Sequence, residues 1–175
     1  MIPHRLGPVV LALLATGLPG AASAQDPTPP CQAPEHRQFD FWAGEWDVYR
    51  PDGQQAGHNT ITVEMNGCVL HESYDGGGGY HGESFNAWDA GRGVWHQTWV
   101  DNGGLLLRLE GGFSDGQMVL EGRTVGADGA ESMHRITWSR IDGDSDRVRQ
   151  LWETSRDGGE TWSVAFDGEY RRVGS

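Results

Sequence analysis

Apolar and polar side chains alternate with a period of two along much of this chain, clearly in Thr60–Met65 and Arg147–Trp152. Successive strand side chains point to opposite faces, so this period marks β-structure, and no segment carries a 3.6-residue apolar pattern for more than about two helical turns. Ten runs fit strands: 39–50, 57–66, 68–75, 80–88, 93–101, 104–112, 117–125, 131–141, 146–155 and 161–173. Between them stand turn formers: Pro51-Asp52-Gly53, Asn66-Gly67, Gly76–Gly79, Asn102-Gly103, Asp115-Gly116, Asp128-Gly129, Asp142-Gly143 and Asp157-Gly158-Gly159. Asn-Gly and Asp-Gly suit tight hairpins because these turns need positive φ angles. One strand per turn, with no helix between, describes a meander, and a long meander loses its exposed edges by closing. The expected fold is all-β: a single antiparallel up-and-down β-barrel of about ten strands. A two-sheet sandwich is the competing architecture.

Aromatic content adds an interior to this outline. Eight tryptophans, five phenylalanines and four tyrosines suit strand surfaces around a large aromatic core. Trp95, Gln97 and Trp99 share one face of their run, Asn86 and Trp88 share another, and Arg149 and Glu153 a third. Aromatic walls with a few amides and a charged pair are what a small-molecule cavity uses, so these seven are the candidate ligand-binding residues. The opposite faces mix apolar and polar residues too, as Val148, Gln150 and Trp152 show, so a filled barrel with paired polar groups stays open.

The first 24 residues stand apart. His4 and Arg5 precede an apolar stretch, Gly7–Leu18, and Ala22-Ser23-Ala24 offers a small-residue cleavage site before Gln25. The stretch is shorter than the roughly 20 apolar residues that span a bilayer, so it reads as a cleavable signal peptide for periplasmic or secreted export. Residues 25–38 hold four of the eight prolines and read as an extended leader without a core of its own, leaving 39–173 as the barrel domain. Lysine is absent, and without Arg5 the remaining twelve arginines face 25 acids, a formal charge of −13. Phosphate backbones and anionic membranes repel such a surface, which argues against nucleic-acid binding and membrane insertion of the mature chain. Export also places Cys31 and Cys68 in an oxidising compartment, where a disulfide can persist. In a meander the first and third strands begin at the same end, which brings the two cysteines together; two buried free thiols are the alternative.

Gly44-Glu45-Trp46 fits the G-x-W signature with which lipocalins and their calycin relatives open. That resemblance implies that Gly44 permits a tight bend, that Trp46 plugs the closed end, and that an arginine near the C-terminus, Arg171 or Arg172, packs over the ring. More specifically, FDFWxGxW (39–46), GCVLHE (67–72), GxSxNxWD (82–89), WHQTWVDNGG (95–104) and RxRQLWExSxDGGxTW (147–162) resemble a family of secreted bacterial domains of unknown function. That family is regarded as calycin-like, near the nitrobindin type of ten-stranded barrel. The resemblance covers about residues 31–173 and implies a fold without a reaction, so it transfers no catalytic residue.

Other motifs resolve into turn chemistry. Ser155-x-Asp157-x-Gly159-x-x-Trp162 matches the Asp-box of sialidases, which need several copies on a longer chain, so here it reads as a hairpin device. Six histidines follow the signal segment: His36, His58, His71, His81, His96 and His134. None has HxH or HxxxH spacing, so no metal site is expected. Haem is the one cofactor that the nitrobindin resemblance raises, with His96 or His134 as its ligand. Strict strand alternation puts Asp52, Asp75, Asp101, Asp128 and Asp157 at one end, where a carboxylate ring could hold calcium, but aspartate is also what hairpin turns demand. Gly76–Gly79 lacks the lysine and helix of a phosphate loop and reads as a flexible turn.

The function that these features support is an exported protein enclosing a partly apolar small ligand in its barrel. A barrel-cavity enzyme, isomerase or hydrolase in type, would use Glu153 or His96 as a base. A third class is an envelope protein-interaction module. Nothing in the sequence fixes the oligomeric state or the ligand.

Overall fold

The computed structural model describes residues 29–174; the expected signal segment 1–24 and the leader residues 25–28 lie outside them. Each alternating run becomes a strand beside its chain neighbours: β1 (Gly44–Tyr49), β2 (Gln55–Glu64), β3 (Val69–Gly77), β4 (Tyr80–Asp89), β5 (Val94–Asp101), β6 (Leu106–Ser114), β7 (Gln117–Val125), β8 (Glu131–Arg140), β9 (Arg147–Ser155) and β10 (Ser163–Arg172). β1 also pairs with β10, through Trp46↔Arg172, Asp47↔Arg171, Val48↔Tyr170 and Tyr49↔Glu169. That ladder closes the sheet into one antiparallel up-and-down barrel, so the wall is continuous and the two-layer alternative falls away. No helix among the described residues is long and apolar enough to cross a membrane.

The structure departs most from the sequence reading just before β1. Within residues 34–42, where the sequence predicts leader to 38 and strand from 39, lie two 3₁₀ turns, Pro34–Arg37 and Asp40–Trp42. The physical reason is that Phe39, Phe41 and Trp42 are all buried. Adjacent positions 41 and 42 cannot both face inward from a strand, whereas a tight turn delivers all three rings into the barrel end. Phe39 sits at the centre of this plug, its centroid 5.0 Å from Trp42, 5.1 Å from Trp138 and 5.7 Å from Trp95. Such aromatic pairs contribute roughly 0.5–1.5 kcal/mol each beyond the area they bury.

Two covalent and electrostatic ties hold the plug. Cys31 and Cys68 form a disulfide, joining the segment ahead of the plug to the β2–β3 connection. Arg37 donates to the Gly67 carbonyl on the same connection. On the opposite side, the Arg172 guanidinium lies 4.2 Å from the Trp46 ring centroid. It also donates to Asp146 at 2.9 Å and to the Ala43 carbonyl at 3.3 Å, while Trp46 Nε1 donates to the Trp42 carbonyl at 2.9 Å. Gly44 has φ +143°, and a Cβ there would collide with the Arg172 guanidinium, so the site requires glycine on two counts. Arg171 instead packs outside the barrel over Tyr49, 4.3 Å from its centroid.

Replacing both cysteines with serine removes a link between residues 37 apart in sequence. The expected loss is about 3–4 kcal/mol of unfolding free energy, from the larger conformational freedom of the unfolded chain. Urea unfolding of oxidised wild type against the Cys31→Ser/Cys68→Ser variant measures it. A loss below about 1 kcal/mol would mean that the plug is held by its rings alone.

Candidate functional site

With Trp46 facing inward, alternation around the ring decides which residues enter the lumen. The indole plug fills only the end where β1 begins. Toward the other end, bounded by the β1–β2, β3–β4 and β9–β10 connections, a cavity of about 370 Å³ remains. That lies within the few hundred to a thousand Å³ usual for small-molecule sites. Its wall is aromatic and aliphatic, with Tyr74, Tyr80, Trp99, Trp152 and Phe166 alongside Leu107 and Ile136.

Hydrogen bonds fix the wall rings. Tyr74 donates to the Ala56 carbonyl at 2.9 Å. Tyr80 and Trp99 both donate to Asp101, at 2.9 and 3.3 Å. Burial and the Asp101 carboxylate push the Tyr80 phenol up to about 12. The Trp99 indole lies across Gly82, where any Cβ would strike it. Trp152 Nε1 donates to His134 Nδ1 at 3.1 Å, and Nε2 of the same ring meets Thr124 Oγ1 at 2.8 Å. Accepting the indole proton at Nδ1 leaves the hydrogen on Nε2, so His134 is neutral, in keeping with burial lowering its pKa.

The floor is polar and continuous. Glu72, only 3% exposed, takes one donor on each oxygen: Asn59 Nδ2 at 2.7 Å and Ser84 Oγ at 2.6 Å. Asn86 donates to Ser84 Oγ and to the Leu70 carbonyl, and Gln97 donates to Asn86 Oδ1. On the other flank Asn59 also donates to the Tyr170 hydroxyl, which donates onward to Gln150. The chain therefore runs Gln97–Asn86–Ser84–Glu72–Asn59–Tyr170–Gln150, from β5 through β4 and β3 to β2, then on to β10 and β9. Asn59 Oδ1 is buried without a partner among the described residues. Glu72 has no ion-pair partner there either, and desolvation raises its carboxyl from 4.5 to about 7, against the two hydrogen bonds that lower it.

The seven residues expected to line the cavity divide into four groups. Gln97 and Trp99 are on its wall. Asn86 is buried one hydrogen bond beneath it. Trp88 and Trp95 face inward but belong to the plug, their centroids 6.4 Å apart, with Trp95 bonded to Gln38. Arg149 and Glu153 point outward, a correction: Arg149 pairs with Asp167 at 2.7 Å on the outer surface, and Glu153 lies opposite Arg135 on that same face. The parity of β9 is the reverse one, with Val148 buried and Gln150 and Trp152 on the cavity. His96 also faces outward, to Glu110 and Thr98, so neither base suggested for an enzyme reaches the lumen.

Glu72, Tyr170, Gln150 and Tyr74 were not singled out from the sequence. The available signal was Leu70-x-Glu72-x-Tyr74, one strand face combining apolar residues with a single acid. The competing face, Val69-x-His71-x-Ser73, is equally mixed, so burial alone tells them apart.

The other motifs occupy local roles. Asp52, Asp75, Asp101, Asp128 and Asp157 accept backbone N–H groups of Gln54, Gly77, Gly103, Ala130 and Thr161 within their own turns. Hydrogen bonds from Thr161 and Ser155 hold the Asp157 carboxyl well below its usual range. No group of three potential metal ligands lies together among the described residues. Both His134 nitrogens are engaged, so haem ligation there would have to break the bond that orients Trp152.

Because the folded state raises the Glu72 pKa above its ordinary value, it binds that proton more tightly than the unfolded chain. This group's stability contribution is full below pH 4.5 and is lost as pH rises to about 7. The interval corresponds to about 3 kcal/mol. Glu72→Gln is therefore expected to gain stability relative to wild type by up to that amount between pH 4.5 and 7.5, as read by urea unfolding across the range. A difference that does not change with pH would show that Glu72 is solvated. Neither protein-family models nor curated proteins yield a match to this chain, so its functional reading rests on the geometry of this cavity.

Proposed function

We propose that the protein is an exported carrier that encloses a small, partly apolar ligand in the open half of its barrel. The observation that carries this reading is the cavity itself: aromatic rings fixed in place around an unfilled space, above a floor of buried polar groups. Holding the wall rings in advance lowers the ordering cost of binding, which favours a ligand site over a packing defect. The disulfide accords with an oxidising compartment, and the signal-like segment with export to the periplasm or beyond. The motif resemblance to secreted calycin-like domains points the same way.

A cavity enzyme is the second reading, because one observation favours it. Glu72 is a buried acid whose pKa of about 7 suits proton transfer at neutral pH. It would replace Glu153 and His96 as the candidate base. Its two donors leave it as an acceptor toward the lumen, which serves binding equally well, and among the described residues no serine, threonine or cysteine is on the cavity wall with it.

Native mass spectrometry of freshly purified protein, followed by ligand extraction, tests the carrier reading. A retained small molecule is expected. Ala165 is exposed and on the cavity lining. Ala165→Trp should narrow the entrance, so this variant should lose the retained molecule while its thermal unfolding changes by less than about 2 °C. Retention unchanged in Ala165→Trp would move the ligand out of the lumen.

A further inference from the structure

The cavity floor is unbalanced in two ways. The first is charge. Among the described residues Glu72 is the only carboxylate on the cavity lining, it is almost wholly buried, and its two hydrogen-bond donors are neutral. A buried carboxylate without a cation is costly and recruits either a proton or a positive partner. Among the described residues the one cationic side chain on the lining is Arg50, an exposed residue of the β1–β2 connection at the mouth.

The second imbalance is in hydrogen bonding. Gln97 spends its N–H groups on Asn86 and Ser84, which leaves Oε1 as an acceptor without a partner among the described residues. The Tyr170 hydroxyl donates its only hydrogen to Gln150. Gln150, whose Oε1 takes that hydrogen, keeps its Nε2 donors, but beside Glu72 the carboxylate's remaining lone pairs and Gln97 Oε1 leave the floor with mainly acceptors toward the cavity. A neutral apolar ligand would leave them unsatisfied. An anion would add like charge to them.

The walls complete the pattern. Tyr74, Trp99 and Trp152 present aromatic surface around the space above Glu72, and aromatic faces attract cations, the more so when water is excluded. The formal charge of −12 over the full chain further raises the local concentration of cations.

We infer that the ligand is an organic amine whose ammonium group donates to Glu72 and Gln97 while its apolar body lies against Tyr74, Trp99 and Trp152. This rests on the carrier reading and narrows it to one class of ligand. Binding would place the missing positive charge beside the carboxylate, with no other change in the network.

Isothermal titration calorimetry at pH 8 tests this with two matched series: phenethylamine, 2-phenylethanol and phenylacetate, then tryptamine, tryptophol and indole-3-acetate. The amine of each series is expected to bind at least about tenfold more tightly than its alcohol and carboxylate, since one charge-assisted contact is worth on the order of 1.4 kcal/mol or more. In Glu72→Gln the amine preference should vanish, while alcohol affinity stays within about threefold. Lowering the pH from 8 to 5.5 should weaken amine binding on the order of 30-fold in wild type, as a group titrating near 7 gains its proton.

The groups around Glu72 identify the source of that pH dependence. Asn59 from β2, Ser84 from β4 and Gln97 from β5 do not titrate. Tyr74 and Tyr170 stay neutral, since burial raises both phenols. His71 sits on the outer face between Glu64 and Glu83, and against the desolvation that lowers it, hydrogen bonds to those two carboxylates raise its pKa. His71→Gln should therefore keep the pH dependence and Glu72→Gln should lose it.

Equal or tighter binding of the alcohols or carboxylates, undiminished amine binding by Glu72→Gln, or no binding of any probe would each overturn the amine assignment. If a neutral or anionic molecule is then found retained in purified protein, the cavity stands as a carrier site for another class. An empty protein that also binds no probe would sink the carrier reading itself.

Discussion

Ring closure between β1 and β10 is the constraint on which everything else depends. Four residue pairs join the two ends of the meander, and once they form, each strand has two neighbours and each side chain is committed to the lumen or to solvent. Arg172 makes the junction more than a ladder. It lies over Trp46, bonds Asp146 on the β8–β9 connection and reaches back to Ala43 ahead of β1. One guanidinium thus ties the first strand, the last strand and the plug, and the glycine at position 44 exists to make room for it.

Closure also creates the division of labour inside. The plug concentrates Phe39, Trp42, Trp46, Trp95 and Trp138 at one end, where aromatic contacts substitute for the two-sided packing that a sandwich would supply. The other end is then free to stay open. Between them lies a seam of amides, two hydroxyls and one acid, each satisfied chiefly by its neighbour. A seam of that kind inside a barrel is expensive unless it holds a defined geometry, because every orphaned group there carries the full cost of desolvation. The orphaned Asn59 Oδ1 and the unpaired charge of Glu72 are where that cost is still outstanding.

Strand number, turn positions and the Cys31–Cys68 link were legible in the sequence, because each leaves a local trace: a period of two, an Asp-Gly, a cysteine ahead of one strand and at the start of another. The Trp46–arginine contact was implied only by the G-x-W resemblance, which left Arg171 and Arg172 both open. The plug was not legible. Phe39–Trp42 carries no period, and only the closed end of a barrel explains why three nearby rings should all be buried. The site was half legible for a related reason. Gln97 and Trp99 share their face with the large ring of Trp95, whereas the other face holds only the smaller Val94, His96, Thr98 and Val100. Arg149 and Glu153 lie on β9, whose faces are equally mixed and which follows a connection, Ile141–Asp146, too long to carry parity over from β8 by hairpin register. A diagonal ion pair of Arg149 with Asp167 satisfies that charge outside, which frees the inner face for Gln150 and Trp152.

The central claim is that closure holds an acid dry and without a counter-charge at the base of an open lumen. Carbon-13 NMR of protein labelled at glutamate carboxyl groups, with the Glu72 resonance assigned, reports this directly in the ligand-free state. A carboxyl titrating near 7 is predicted. Titration in the ordinary glutamate range, near 4.5, would mean that water reaches Glu72 freely and that the lumen is not the enclosed site described.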